Sequence, residues 1–126
     1  MMSRNWLPFT PGKLPIVDVR VGTRRYRALI DTGSQVSLIA PDVAAKLGLR
    51  DVGFQAIVGV TGQSRKEFAV ELPATGLANV ELLPCRAAVL DLKPLGLGIQ
   101  IILGVNAFAR RRLHFDFVES RVYFLE

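Results

Sequence analysis

The residues of this chain best suited to chemistry are Asp31, Thr32, Gly33 and Ser34, which directly follow the apolar run Ala28-Leu29-Ile30. Two carboxylates held about 3 Å apart cannot both ionise, so they share one proton and titrate as a pair. One carboxylate of such a pair can act as a base while the other acts as an acid. The pair can therefore deprotonate a water molecule and protonate the carbonyl that this water attacks, which is the chemistry of amide hydrolysis.

The Asp-Thr-Gly-Ser motif occurs once in the 126 residues, so one chain supplies one such carboxylate. The nearest second candidate, Asp51-Val52-Gly53, lacks the hydroxyl, follows no apolar strand and lies too close to the first motif. A two-lobed monomer is therefore rejected, and the sequence predicts a homodimer with one Asp31 from each chain. Gly33 allows a close approach of the backbone, and the hydroxyl of Thr32 or Ser34 can donate hydrogen bonds that fix the turn.

The segments that must position this motif are patterned mostly as strands. Residues 17–21 and 26–30 alternate around the turn Gly22-Thr23, which predicts a hairpin that ends at Asp31. Pro41 and Gly48 are typical of the start and the stop of a short helix over residues 41–47. Further strands are predicted at 36–39, 54–60, 68–72, 80–83, 86–90, 100–103, 113–117 and 122–125, with a second short helix over 106–111. These segments predict a mainly β fold, a closed barrel or sandwich with one or two short helices.

The order of these segments resembles the retropepsins, the retroviral-type aspartic proteases, and most closely their single-lobe bacterial and cellular members. The resemblance covers about residues 14–124. Asp31-Thr32-Gly33-Ser34 matches the catalytic loop, and Ile102-Leu103-Gly104 matches the apolar-apolar-Gly segment that packs under this loop. The resemblance implies a single acid-protease domain over residues 1–126, in which residues 1–13 form an N-terminal extension.

The resemblance also implies roles for individual residues. Asp31 would be the catalytic carboxylate, and Thr32 would supply the hydroxyl that locks the two loops together across the dimer. The flap, which closes over substrate, would have its tip at Gly59, Val60, Thr61, Gly62 and Gln63. An apolar substrate pocket is expected, lined by residues such as Ala28, Val58, Val60 and Ile102.

One position departs from the viral pattern. Viral enzymes usually carry an Arg directly after the Gly of the apolar-apolar-Gly segment, where this chain has Val105. The resemblance therefore implies a dimer interface that is built differently from the viral one.

Charge and composition limit the partners that are expected. The formal net charge is +5, from 16 Lys and Arg against 11 Asp and Glu. Two clusters of arginines are interpreted as solvated faces, one at Arg24, Arg25 and Arg27 and one at 110–112. The positive charges of the second cluster would also be favourable at the C-terminus of a helix. Nucleic-acid binding is not expected, because the sequence shows neither interleaved exposed aromatic residues nor a known module.

Metal and cofactor chemistry is not expected either. The single Cys85 cannot form a disulfide within the chain, no Cys/His metal-ligand spacing exists, and no cofactor is predicted. Cys85 is expected to be a buried or half-buried thiol, and His114 is expected to face solvent because it alternates with Leu113 and Phe115.

The chain shows no membrane-spanning segment, because no apolar run reaches the roughly 18 residues that a span needs. Residues 1–15 also lack the apolar stretch of a secretory signal. We expect a cytoplasmic protein or a soluble part of a membrane-anchored parent.

The sequence therefore predicts an aspartic endopeptidase that cleaves polypeptide substrates as a homodimer. The alternative that stays open is a non-catalytic peptide- or protein-binding module on the same fold. The intact Asp31-Thr32-Gly33 favours the enzyme, since a module that only binds has no need of this carboxylate.

Overall fold

The strands of this protein form two sheets in the computed structural model, which describes residues 4–59 and 61–125. The larger sheet has nine strands and the smaller sheet has three. The strands are β1 (Trp6–Pro8), β2 (Ile16–Val21), β3 (Arg24–Ile30), β4 (Ser37–Ile39), β5 (Asp51–Val58), β6 (Ser64–Leu72), β7 (Thr75–Leu77), β8 (Val80–Leu82), β9 (Cys85–Val89), β10 (Ile101–Leu103), β11 (Arg112–Asp116) and β12 (Arg121–Leu125). The helical segments are α1 (Pro41–Leu47) and two 3-10 turns, Lys93–Leu95 and Val105–Phe108.

The nine-stranded sheet is a curled half-barrel with the strand order β5-β6-β9-β4-β10-β3-β2-β7-β8. Strand β10 lies between β3 and β4, parallel to β3 and antiparallel to β4. The chain leaves β3 and returns as β4, so the connecting loop over residues 31–36 must pass the carboxyl end of β10. The position of Asp31 therefore depends on how this loop rests on β10.

Alternation along β10 separates two buried faces of the sheet. Ile101 and Leu103 point into the main core and have no exposed surface. Ile102 points to the opposite face, where it packs with Leu29 in a second, smaller cluster. The main core contains Val17, Val19, Val21, Ala28, Ile30, Ile39, Leu72, Leu77, Val122 and Phe124 among its most buried members.

The helix α1 follows from local sequence signals. Pro41 occupies the first turn, where a missing N–H costs nothing, and Asp42 carries the negative charge that suits a helix N-terminus. Gly48 ends the helix in the left-handed conformation at φ 60°, which a glycine adopts without strain. Val43 and Ala44 bury one side of α1 against the main core.

The three-stranded sheet has the order β1-β12-β11. Val122 and Phe124 of its middle strand, β12, pack into the main core. Residues 1–13, expected as an extension, contribute β1, which pairs antiparallel with β12. Phe9 is buried after β1 and contacts the ring of Phe117 edge-on, at 5.8 Å between ring centroids. Residues 6–9 are therefore part of the packed structure.

The mainly β fold with short helices is confirmed, but the second predicted helix is shorter than expected and is a 3-10 helix. Residues 105–108 form a single 3-10 turn, and Arg110 adopts a left-handed φ of 63°. The turn buries Ala107 and Phe108 at once, and the chain then enters β11 at Arg112, which leaves no length for an α-helix. The cations at 110–112 therefore do not lie at a helix C-terminus.

The two faces of β10 generate a stability prediction. We expect Ile101→Ala to lower the free energy of unfolding by about 2–5 kcal/mol, because it leaves a cavity in the main core. Urea unfolding followed by circular dichroism measures the change. Val118→Ala is the control, since this side chain is 92% exposed and its loss should change stability by less than about 0.5 kcal/mol. Equal effects of the two substitutions would contradict the assignment of the core face.

Candidate active site

Asp31 lies at the first position after β3 and is held by backbone hydrogen bonds on both sides. Its own N–H donates to the carbonyl of Leu103 at 2.9 Å, which continues the β3–β10 ladder. The N–H of Gly33 donates to Oδ1 of Asp31 at 3.0 Å, and the N–H of Ser34 donates to the Asp31 carbonyl at 3.2 Å. The side chain is half-buried, so its carboxylate is oriented by the loop and still accessible to water.

The remaining residues of the motif shape the loop. Thr32 and Gly33 are exposed at its top, whereas Ser34 is half-buried and donates from Oγ to the carbonyl of Val36 at 2.7 Å. A Cβ on Gly33 would lie 3.2 Å from Oδ1 of Asp31, which is tighter than an ordinary contact. Glycine at this position therefore leaves the carboxylate room to accept the backbone hydrogen bond.

The loop rests directly on the segment that follows β10. The N–H of Val105 donates to the carbonyl of Ser34 at 2.7 Å, and the N–H of Asn106 donates to the carbonyl of Gln35 at 3.3 Å. A Cβ on Gly104 would lie only 2.6 Å from the Ser34 carbonyl oxygen and 2.7 Å from that of Val36. Because these atoms belong to the backbone, only glycine allows the two segments to approach this closely.

A polar network below the loop was missed by the sequence reasoning. Ser37 has no exposed surface, and its Oγ donates to Oδ1 of Asn106 at 2.8 Å while accepting from the N–H of Gly104 at 3.0 Å. The side-chain amide of Asn106 donates to the carbonyl of Arg86 at 2.7 Å. The network thus ties β4, β9 and the end of β10 together. The one available signal was a polar residue, Ser37, inside a short apolar strand.

Cys85 touches this network through its thiol. Its Sγ lies 3.9 Å from Oγ of Ser37. Burial raises the pKa of the Cys85 thiol, and the hydrogen bond with Ser37 offsets only part of this effect. The neutral thiol is therefore favoured, as expected for a half-buried structural cysteine.

The predicted flap is the end of the β5–β6 hairpin. Strand β6 pairs with β9 only over residues 69–72, so the part of the hairpin from Phe54 and Phe68 to the tip is paired only with itself. At the tip the N–H of Gly59 donates to the Gln63 carbonyl at 2.8 Å, and the N–H of Gly62 donates to the Gly59 carbonyl at 2.9 Å. Thr61 and Gln63 are exposed there, and Val60 lies outside the described residues.

The residues expected in the substrate pocket lie on different faces of the structure. Ala28 has no exposed surface and faces the main core, so its side chain offers nothing to a ligand, and this expectation is corrected. Leu29, the next residue, points to the other face, where it is aligned with Ile102. By alternation this is also the face of Asp31. Val58 is 68% exposed on the flap hairpin.

Two further observations concern metal ligands and membranes. Within residues 4–59 and 61–125, no three His, Cys, Asp or Glu side chains come together in a group that could hold a metal ion. In the same part of the chain, no helix has the length and apolar character to cross a bilayer. His114 is exposed, as its alternation in β11 predicts.

The contact between Gly104 and the loop generates a prediction. We expect Gly104→Ala to lower the free energy of unfolding by about 1–3 kcal/mol, because the added methyl group forces backbone segments apart. Thermal unfolding measures this effect. Gly59→Ala is the matched control, since its Cβ would meet only the flexible side chain of Gln63. If Gly104→Ala were as stable as the wild type, the close packing of the loop on β10 would be refuted.

Comparison with known proteins agrees with this geometry. The chain matches the aspartyl protease family over residues 17–107, whereas no curated protein sequence matches it. A retropepsin-like aspartic protease from Rickettsia conorii superposes with a TM-score of 0.62 at 15% identity, covering 99% of this chain and 100% of that one. The retroviral protease-like domain of Ddi1 from Leishmania major gives 0.55 at 18% identity, with 90% and 94% covered. The chain therefore belongs to the aspartyl protease family and has the retropepsin-like fold.

Proposed function

We propose that this protein is an aspartic endopeptidase that works as a homodimer, with Asp31 of each chain activating the attacking water. The observation that supports this proposal most directly is the setting of Asp31. Its carboxylate is half-exposed, one oxygen is held by the N–H of Gly33, and the loop beneath it is packed against Gly104. Turn aspartates elsewhere in the chain accept the same kind of backbone hydrogen bond, so what distinguishes Asp31 is the close packing of its loop on Gly104.

In the proposed dimer the two Asp31 carboxylates share one proton. The ionised carboxylate takes a proton from water as the water oxygen attacks the peptide carbonyl carbon. The protonated carboxylate gives its proton to the carbonyl oxygen, which yields a tetrahedral diol. The carboxyl group that took the proton from water then gives it to the amide nitrogen, while the other, now ionised, carboxylate takes a proton from a diol hydroxyl. The C–N bond breaks, the amine leaves, the carbonyl of the new carboxylic acid forms, and the pair again holds one proton. Thr32 is exposed at the top of the loop and would meet its counterpart across the proposed dimer.

The substrate we infer is an extended peptide that lies between the flap and the floor beside Asp31. An extended chain can pair its backbone with strand edges, while pockets for alternate side chains give the preference. The layer beneath this floor is apolar, since the buried side chains of Leu29 and Ile102 lie side by side on the face of Asp31. Val58 supplies an exposed apolar side chain on the flap. Apolar side chains next to the cleaved bond are therefore expected to be preferred.

Asp31→Asn is the test of catalysis. The amide can neither accept the proton from water nor supply one, so we expect cleavage of a diverse peptide mixture between pH 4 and 7 to fall by at least about 1,000-fold. A statine-type transition-state analogue should inhibit the wild-type protein to a similar extent.

The matched control for this test is Asp18→Asn. Asp18 is an exposed aspartate that pairs with Arg27 at 3.0 Å on β2, and an exposed ion pair of this kind contributes little to stability. This variant should cleave as the wild type does. Undiminished cleavage by Asp31→Asn would refute the proposal, and a wild-type protein that binds peptides without cleaving them would favour the non-catalytic binding module.

Substitution of the two neighbouring isoleucines of β10 tests the proposed apolar floor. Ile102→Ala should lower kcat/KM for peptides with large apolar side chains by roughly 10-fold or more, because it removes apolar packing beneath the proposed floor. Ile101→Ala is the control, since it is equally buried but faces the main core. It should reduce stability and leave the relative preference among peptides unchanged. If Ile101→Ala instead changed the preference among peptides, the assignment of the substrate floor to the face of Ile102 would be wrong.

A further inference from the structure

A cavity of about 770 Å³ opens on the face of the nine-stranded sheet that carries Asp31. Two of its lining residues, Ile16 and Leu97, pack against the second cluster, which contains Leu29 and Ile102. Leu29 and Ile102 form the apolar layer beneath the proposed floor, so the cavity adjoins that layer. Its volume is in the range that is typical of ligand sites.

The pairing of β2 with β3 shows how far this cavity extends from Asp31. Arg27, which lines the cavity, lies four residues before Asp31 on the same face of β3, a separation of about 13 Å at roughly 3.3 Å per residue. The N–H of Ile30 donates to the carbonyl of Pro15 at 3.1 Å, so the segment before Pro15, which includes Lys13, lies at the end of β3 that leads to Asp31. An extended peptide bound at Asp31 would therefore reach the cavity within about four residues of the cleaved bond.

Positive charge lines this cavity. Lys13 and Arg27 are among its lining residues, and in the described part of the chain no Asp or Glu lines it. Arg27 is already paired, since its Nη1 lies 3.0 Å from Oδ1 of Asp18. Lys13 is exposed and takes part in none of the ion pairs formed within residues 4–59 and 61–125. Lys13 is therefore the cation that is available to a carboxylate of a ligand.

Apolar side chains flank these cations. Leu14 is 52% exposed and Phe117 is 71% exposed, and both line the cavity. A site that combines apolar walls with one available charge suits a ligand group that combines aliphatic carbons with one opposite charge. A glutamate side chain has this composition, whereas an inorganic anion would leave the apolar walls uncovered.

We propose that a glutamate side chain of the peptide substrate binds in this cavity, the basic pocket. The residues that define the basic pocket are Lys13, Leu14, Ile16, Arg27, Leu97 and Phe117. Lys13 is the specificity-determining residue, because its ammonium group meets the carboxylate while Leu14 and Phe117 contact the aliphatic carbons. This inference rests on the proposed function, which places a peptide at Asp31. It adds an acidic preference farther along the peptide to the apolar preference next to the cleaved bond.

A scan of peptide substrates tests this preference. In each peptide a single Glu or Gln occupies the second, third or fourth position on either side of an apolar cleavage bond, and cleavage is measured at about pH 6, where Glu is ionised. At one or more of these positions kcat/KM should be roughly 5-fold higher for Glu than for Gln, as expected for a favourable exposed ion pair. The difference should shrink at high salt. Equal cleavage of the Glu and Gln peptides at every position would overturn the proposal.

Reversal of one charge tests the role of Lys13. Lys13→Glu should remove the preference for Glu and should favour Lys at the same peptide position by a similar factor. Because Lys13 is exposed, this substitution should leave the fold intact. Lys46→Glu is the matched control, since it changes the net charge equally at an exposed position of α1 that does not line the basic pocket. A preference for Glu that survived in Lys13→Glu, or that was lost equally in Lys46→Glu, would contradict the role of Lys13.

Peptide binding separates this inference from catalysis. In Asp31→Asn the basic pocket is unchanged, so the Glu peptide should bind several-fold more tightly than the Gln peptide, as measured by isothermal titration calorimetry. Cleavage that depends on Asp31, together with equal binding and cleavage of the two peptides, would leave the protease standing and overturn the basic pocket. A binding preference that depends on Lys13, without any cleavage by the wild type, would support the basic pocket and remove the proposed endopeptidase.

Discussion

The close approach of two backbone segments at Gly104 is the constraint on which the candidate site depends. The carbonyls of Ser34 and Val36 lie where a side chain on Gly104 would begin. This contact lets the N–H of Val105 reach the Ser34 carbonyl while the N–H of Asp31 reaches that of Leu103, so the loop is fixed at both ends. A loop of turn-forming residues would otherwise sample many conformations, and ordering it costs roughly 1–2 kcal/mol per residue. The packed core below β10 offsets that cost.

Adjacent residues of β10 contribute to the main core and to the face that carries Asp31. Ile101 and Leu103 are fully buried in the main core, and Ile102 between them faces the side of Asp31. The period of two in a strand makes this division automatic. It also explains why Leu29 rather than Ala28 lies beside Ile102, since the two are paired across the parallel β3–β10 ladder. Substitutions one residue apart therefore affect packing either in the main core or on the face of Asp31.

The sequence predicted the elements whose signals are local. The prediction of the hairpin that leads to Asp31 was based on alternation, and the prediction of α1 was based on Pro41 and Gly48. The sequence analysis missed β1 and β7, which contain Pro8 and Gly76, because these residue types argue against a strand. The second helix is shorter than predicted, because Phe108 is buried and the chain then enters β11 at Arg112. The Ser37–Asn106 network could not be read either, since its members are 69 residues apart and meet only through the β4–β10 pairing.

One carboxylate per chain makes assembly part of the proposed chemistry. If two copies of Asp31 form the site, the active fraction depends on protein concentration, and a peptide bound across both chains stabilises the dimer by mass action. Formation of the dimer could thus control activity without any change in the fold that orients each Asp31.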